Sequence, residues 1–180
     1  MTVTLSHGIR LLSGNLFDYS DPDAGIVTIE DIANALSNIC RFAGHIPYFY
    51  SVAQHAYNVS MIVPPEYALA GLLHDTSEAF TNDIPTPLKH AVPMFKDLER
   101  KIEASMGRRF GFDYPLHTSV KYADSQMLGL EKIHIKGDHS HWDVLDGIDF
   151  ECERENVVLE SWTPGYAGYM FLKRYQELTA

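Results

Sequence analysis

The sequence predicts an all-α fold in a single domain, and three observations predict it. Apolar residues recur every three or four positions in segment after segment. Ser, Thr and Pro stand at the starts of those segments, where helix caps and first turns favour them. The apolar–polar alternation of a half-buried strand is scarce. With 180 residues, 46% hydrophobic and 21% charged, the chain is long enough to bury one core without disulfide or metal staples.

The elements follow in order. Residues 1–24 carry the turn signals Ser13-Gly14 and Asp21-Pro22-Asp23. They predict irregular chain with at most one short strand. Thr28 caps a helix over residues 29–40, with Ile29, Ile32, Ala33, Leu36 and Ile39 at helical spacing. Gly44 and Pro47 make residues 41–50 a loop. Ser51 caps a second helix whose one face carries Val52, His55, Ala56, Val59 and Ile62. Pro64-Pro65 ends it, and Pro65 suits the first turn of a third helix, residues 66–80. The run from Tyr67 to Leu73 is apolar, so that helix is expected to be buried. Residues 83–87 form a turn, and Pro87 opens a short helix. Pro93 precedes an amphipathic helix over 94–109, with Phe95, Leu98, Ile102 and Met106 inward. Residues 118–134 form another helix, and residues 138–155 are acidic and irregular. The last helix follows Pro164; its Tyr169, Phe171 and Tyr175, with Tyr166, are expected in the core or at a subunit contact.

Charge excludes some functions. Lys and Arg number 14 against 24 Asp and Glu, a net charge of −10. Such a chain is unsuited to tracking a nucleic-acid polymer, where basic patches supply affinity. No apolar run approaches the ~18 residues of a membrane-spanning helix, so no membrane partner is expected. Residues 1–10 lack the apolar stretch of a signal peptide. Cys40 and Cys152 stand far apart, which excludes a four-cysteine zinc site. Both are read as reduced thiols, and the expected location is cytoplasmic.

The chemistry concentrates in His74-Asp75-Thr76-Ser77-Glu78, with Asp83 just after it. A His-Asp dipeptide alone means nothing; its setting does. Three ionisable groups follow directly on the apolar run, and burying them is costly unless they pair or bind a cation. Glu78 lies four residues after His74, so on a helix both project from one side. His74 and Asp75 diverge by about 100° around a helix axis. Both reach one ion only at the helix end or against a second helix, and other helices must supply the remaining ligands. His55, among Val52, Ala56 and Val59, is one candidate, and Asp124, with Leu128 four residues on, is the other. His55, His74, Asp75 and Asp124 form a two-histidine, two-carboxylate set. It suits a divalent transition metal with positions left open for water and substrate.

These residues resemble the H…HD…D signature of the HD-domain phosphohydrolases. The similarity is greatest to the small branch with bacterial 5′-deoxynucleotidases and phage deoxynucleoside-triphosphate hydrolases. It is carried by Arg41, by Tyr50-Ser51-Val52-Ala53-Gln54-His55 and by Leu72-Leu73-His74-Asp75-Thr76-Ser77-Glu78. It continues through Asp83-Ile84-Pro85-Thr86-Pro87-Leu88-Lys89 and Lys121-Tyr122-Ala123-Asp124. The resemblance spans residues 29–135; the acidic loop and last helix, 137–180, lie outside the motifs.

The resemblance implies an HD-type helical bundle around one divalent ion of Zn, Co, Mn, Mg or Fe. It implies that His55, His74, Asp75 and Asp124 hold the ion. It implies that Glu78 orients or deprotonates the attacking water, that Asp83 touches the sugar or assists catalysis, and that Arg41 contacts phosphate. The branch often has Trp after that Arg; here Phe42 stands there, which leaves base and sugar selectivity open. Lys89 is a second cation for phosphoryl charge. His45 lines the substrate pocket, lies on the surface or, like His90, serves a second metal. The substrate is then a nucleotide, either a deoxynucleoside monophosphate or a triphosphate such as dATP. Relatives self-associate, so a homo-oligomer is implied.

Competing readings stand beside these. His55 also fits a core histidine, Asp83 a turn residue and Lys89 a solvated helix end. An HD-like pocket that senses a nucleotide without cleaving it is a second class, against which Glu78 speaks. A di-iron oxygenase is a third, and needs extra histidines. Asp138, His139, His141, Asp143, Asp146 and Asp149 lack the ligand spacing of a calcium loop and read as solvated chain.

Overall fold

The computed structural model describes residues 7–180. The expectations for residues 1–6 lie outside the described residues. The structure is all-α apart from one small ribbon, as the periodicity predicts. Eight helices follow the ribbon: α1 (Ile29–Asn38), α2 (Val52–Ile62), α3 (Ala68–Leu73), α4 (Glu78–Thr81), α5 (Thr86–Ala91), α6 (Pro93–Phe110), α7 (Thr118–His134) and α8 (Pro164–Thr179).

Helix α2 is the central element, in contact with α1, α3, α7 and α8. The Ser51 side chain accepts the Gln54 N–H and starts the helix as predicted. Val52, His55, Ala56 and Val59 are fully buried along it. Two apolar clusters flank α2. One gathers Phe17, Ile32, Leu36, Leu72, Met106 and Phe171; the other gathers Tyr50, Val120, Met127, Leu130 and Leu159. The site lies where α2, α3 and α7 converge.

Four expectations are corrected. Strands β1 (Gly8–Arg10) and β2 (Leu16–Asp18) form an antiparallel ribbon, where at most one strand was expected. Helix α1 ends at Asn38, because Ile39 is extended and Cys40 bridges to Ser51. The third helix is not continuous over 66–80. It runs as a 3-10 turn (Pro65–Tyr67), α3, a tight passage and α4, with i→i−3 bonds at Thr76, Glu78, Ala79 and Phe80. Tyr166 and Tyr169 are exposed, so within this chain they are not core. The acidic segment is irregular as expected, with 3-10 turns at Asp143–Leu145 and Glu151–Asn156. It is nevertheless anchored: Gln126 Nε2 donates to the Asp149 carbonyl, and Lys132 Nζ donates to that of Asp138. Gly129 leaves room for Phe150, whose ring a Cβ there would overlap.

The ribbon is tied down at both ends. Phe17 is fully buried and stacks on Phe80 of α4 at 3.8 Å between ring centres. The Tyr19 hydroxyl donates to the Phe80 carbonyl at 2.5 Å. Asp31 supplies the second tie. It completes a capping box with Thr28, and also accepts the Ser13 N–H at 2.8 Å and the Ser13 hydroxyl at 2.9 Å.

Burial works to raise the Asp31 pKa, but the hydrogen bonds from Ser13 and Thr28 outweigh it and hold the carboxyl below its ordinary value. A depressed folded-state pKa contributes stability above the unfolded value, and that contribution is lost as pH falls through the folded one. Asp31→Ala is therefore expected to cost about 1–2 kcal/mol at pH 6. Denaturant melts at pH 6 and below pH 3 check it; the difference from wild type shrinks in acid.

Candidate active site

Three helices bring the site together. His55 projects from α2, His74 follows the last residue of α3, and Asp124 sits on α7. Their ligand atoms all lie within 4.8 Å of one another. The Nε2 atoms of His55 and His74 are 3.3 Å apart, and Asp124 Oδ1 lies 3.1 Å from the first and 3.7 Å from the second. Asp75 Oδ2 lies 3.2 Å from His74 Nε2 and 3.7 Å from His55 Nε2. The tight passage after α3 lets the adjacent His74 and Asp75 turn toward one point, which a straight helix would not.

The donors fit a divalent ion. Both remote ring nitrogens are already bonded: His55 Nδ1 donates to Glu131 Oε1 at 2.6 Å, and His74 Nδ1 donates to the Gly71 carbonyl at 2.8 Å. Nε2 of each ring is therefore the nitrogen that faces the cluster, where it can turn a lone pair to an ion or hold a proton toward a carboxylate. Ligand atoms ~2.1 Å from one ion stand about 3.0–3.4 Å apart in octahedral or tetrahedral arrangement. The observed separations match that range or exceed it slightly. Burial works to lower the His74 pKa, but Asp75 and Asp124 outweigh it and hold it well above its ordinary value. The carboxylates thus favour positive charge at this point.

Beside the cluster stands Glu78. Its Oε2 is buried and has no hydrogen-bond partner among the described residues. Burial first, then the charges of Asp75 and Asp83, push its pKa well above the ordinary carboxyl value. Lys89 lies 3.8 Å from Glu78 Oε1 but is held by Glu99 at 2.6 Å. Asp83 Oδ2 accepts the Phe42 N–H at 3.1 Å. That bond restrains a turn over Arg41–Gly44 in which Phe42 (φ 56°) and Ala43 (φ 51°) are left-handed. L-residues there are strained by roughly 1–2 kcal/mol each.

The remaining predicted residues divide. Arg41 is buried beside the cluster, with Nη1 3.8 Å from Asp75 Oδ2. Phe42 turns its ring toward Trp142, 6.5 Å between centres. His45 is exposed and lines a depression of about 590 Å³ with Lys136, Asp138 and His139. His90 is also exposed, so neither histidine joins the metal-ligand group. Three residues had escaped sequence reasoning. Glu131 and Glu99 are buried acids, and Trp142 comes from the acidic segment. Glu131 alone had a readable signal: it follows Asp124 by seven residues, two turns along the same helix face.

A helical bundle that converges two imidazoles and a carboxylate, with Asp75 at their side and the buried Glu78 nearby, is an arrangement suited to a metal-dependent hydrolase. The YfbR-like 5′-deoxynucleotidase family matches residues 32–124. The chain belongs to that family, and so to the metal-dependent nucleotide phosphohydrolases. It is 44% identical over 172 residues to the uncharacterized protein YfdR of Escherichia coli (strain K12), covering 95% of each chain. It is 33% identical over 142 residues to an uncharacterized protein of Rhodobacter capsulatus, covering 71% of this chain and 72% of that one. A 46-residue stretch is 46% identical to a 5′-deoxynucleotidase of Vibrio atlanticus, covering 26% and 24% of the two chains. No helix of the described residues is long and apolar enough to cross a membrane.

An ion that binds the folded chain at a hundredfold excess over its Kd stabilises it by about 2.7 kcal/mol. Chelator-treated protein is expected to melt higher on addition of Mn²⁺ or Zn²⁺. The His55→Ala and Asp124→Ala variants are expected to lose that rise in differential scanning fluorimetry. An equal rise in both would place the ion elsewhere.

Proposed function

We propose that the protein is a cytoplasmic 5′-deoxynucleotidase that hydrolyses deoxynucleoside 5′-monophosphates to deoxynucleoside and inorganic phosphate. The observation that carries this reading is a buried carboxylate oxygen without a hydrogen-bond partner among the described residues, on Glu78, beside the His55–His74–Asp124 donor cluster that Asp75 flanks. His55, His74, Asp75 and Asp124 are the residues that hold one divalent ion of Zn, Co, Mn, Mg or Fe. When bound, such an ion neutralises phosphoryl charge and lowers the pKa of water.

Glu78 is the general base. Its unpartnered Oε2 stands beside the cluster, and burial with the charges of Asp75 and Asp83 raises its pKa above the ordinary carboxyl value, which makes it a stronger base. It takes a proton from water as the water oxygen bonds to phosphorus. The P–O5′ bond breaks, and the 5′ oxygen takes up one proton from solvent to leave as the hydroxyl of the deoxynucleoside, while Glu78 gives back the proton it took from water. Asp83 holds the Arg41–Gly44 turn against the site and faces the sugar. The Phe42 ring borders the base or sugar, and His45 stands further out at the rim.

Arg41 and Lys89 are the cations for the phosphate. Each already holds a carboxylate, Glu131 and Glu99 respectively. The positive field left over is small, and it suits one phosphate better than three. This favours a monophosphate over a triphosphate, in keeping with the names of the shorter-matching relatives. His45 and His90 are exposed and outside the His55–His74–Asp124 group, which speaks against the second metal of a di-iron oxygenase.

Incubation with each deoxynucleoside mono- and triphosphate in Mn²⁺, Co²⁺, Zn²⁺ or Mg²⁺, with products resolved by anion exchange, tests this. Deoxynucleoside and phosphate from the monophosphates are expected. Release of intact triphosphate from a dNTP would replace the monophosphate assignment, and no turnover of any nucleotide would overturn the hydrolase reading. Glu78→Ala is expected to keep the ion while turnover falls by about a hundredfold or more. Near-normal turnover removes Glu78 from the mechanism.

A further inference from the structure

We propose that Glu131 is a positioning residue of the metal centre. It holds the His55 ring with Nε2 toward the cluster, and Arg41 is the counter-charge that makes a carboxylate tolerable there. The inference rests on the reading above that His55 is a metal ligand.

Glu131 is fully buried, on α7. Its two oxygens have separate tasks. Oε1 accepts the His55 Nδ1–H at 2.6 Å. Oε2 accepts two N–H groups of Arg41, from Nε at 3.2 Å and Nη2 at 2.9 Å. Arginine does not give up its proton, so the buried guanidinium requires an anion, and Glu131 is the one it grips. A carboxylate held this way is an acceptor only. The proton between it and His55 therefore belongs to the ring at Nδ1, and Nε2 is the atom turned toward His74, Asp75 and Asp124, where an ion would find its lone pair.

Helix α7 thus acts twice. Asp124 supplies a donor directly, and Glu131, two turns further on, orients a donor carried by α2. Arg41 extends the linkage to the third element, with Nη1 3.8 Å from Asp75. His74 is held by a neutral group instead, its Nδ1–H meeting the Gly71 backbone carbonyl. A buried Glu–Arg pair placed for stability alone has no need of a ring on its second oxygen, and such pairs contribute little net stability.

The test uses metal-free full-length protein titrated with Mn²⁺ by calorimetry, and long-range ¹H–¹⁵N spectra of the histidine rings. Metal-free wild type is expected to show His55 protonated at Nδ1, whether or not Nε2 also carries a proton. In Glu131→Gln the tautomers are expected to mix and Mn²⁺ affinity to fall about 10–100-fold. Arg41→Gln/Glu131→Gln removes both buried charges together, a change that folds tolerate better than removal of one partner, and it is expected to lose affinity to the same extent. A double variant with a cooperative melt that binds Mn²⁺ within about threefold of wild type would leave Glu131 a merely structural residue and overturn the proposal. An Nε2–H tautomer in wild type overturns it without any variant. If wild type binds no Mn²⁺, the metal-centre reading itself fails, and this inference with it. If wild type binds and the variants bind equally, only the inference fails.

Discussion

Two ring nitrogens, on His55 and His74, point at each other across 3.3 Å inside a helical bundle. Each ring has already committed its other nitrogen to a carboxylate or a carbonyl. Two nitrogens so close need a positive charge between them, a proton or a metal ion. The arrangement persists because α2, α3 and α7 converge there, and because two carboxylates bring in the opposite charge. Most features of the fold can be read as support for that one point.

The support comes in layers. The apolar clusters on either side of α2 leave its histidine no exit. The break after α3 turns a linear His-Asp-x-x-Glu string into a concave set of groups. The N-terminal ribbon, small as it is, braces the far side through Phe17 and Tyr19 on Phe80, two residues from Glu78. The strained turn at Phe42 and Ala43 is held by Asp83 and sets Arg41 inside the wall. Strain of this kind gathers at functional sites because the surroundings over-determine the backbone.

Much of this was legible in the residues. The caps at Thr28 and Ser51, the inward face of α2 and the bounds of α7 all follow from local rules, because capping and helical period act within a few positions. The candidate ligands His55, His74, Asp75 and Asp124 were legible because ionisable groups on apolar faces need a reason. The third helix was misread as continuous. Propensity and periodicity do not register the tight passage at residues 74–77, since nothing in Thr76 or Ser77 forbids a helix. The ribbon was half missed because three-residue strands carry too short a pattern. The resemblance marks Arg41 for phosphate, but no local pattern shows that two of its nitrogens are bonded to Glu131, ninety residues away.

The sequence by itself determined most of the helices, their buried faces and the inventory of chemical groups. Each of those depends on neighbours close along the chain. Only the tertiary structure decided which acids face which bases. Glu131 with His55 and Arg41, Glu99 with Lys89, and Trp142 with Phe42 are pairings across 10 to 100 residues. No local rule ranks such pairings, because each depends on how whole helices dock, and a buried charge takes whatever opposite charge the docking brings within reach.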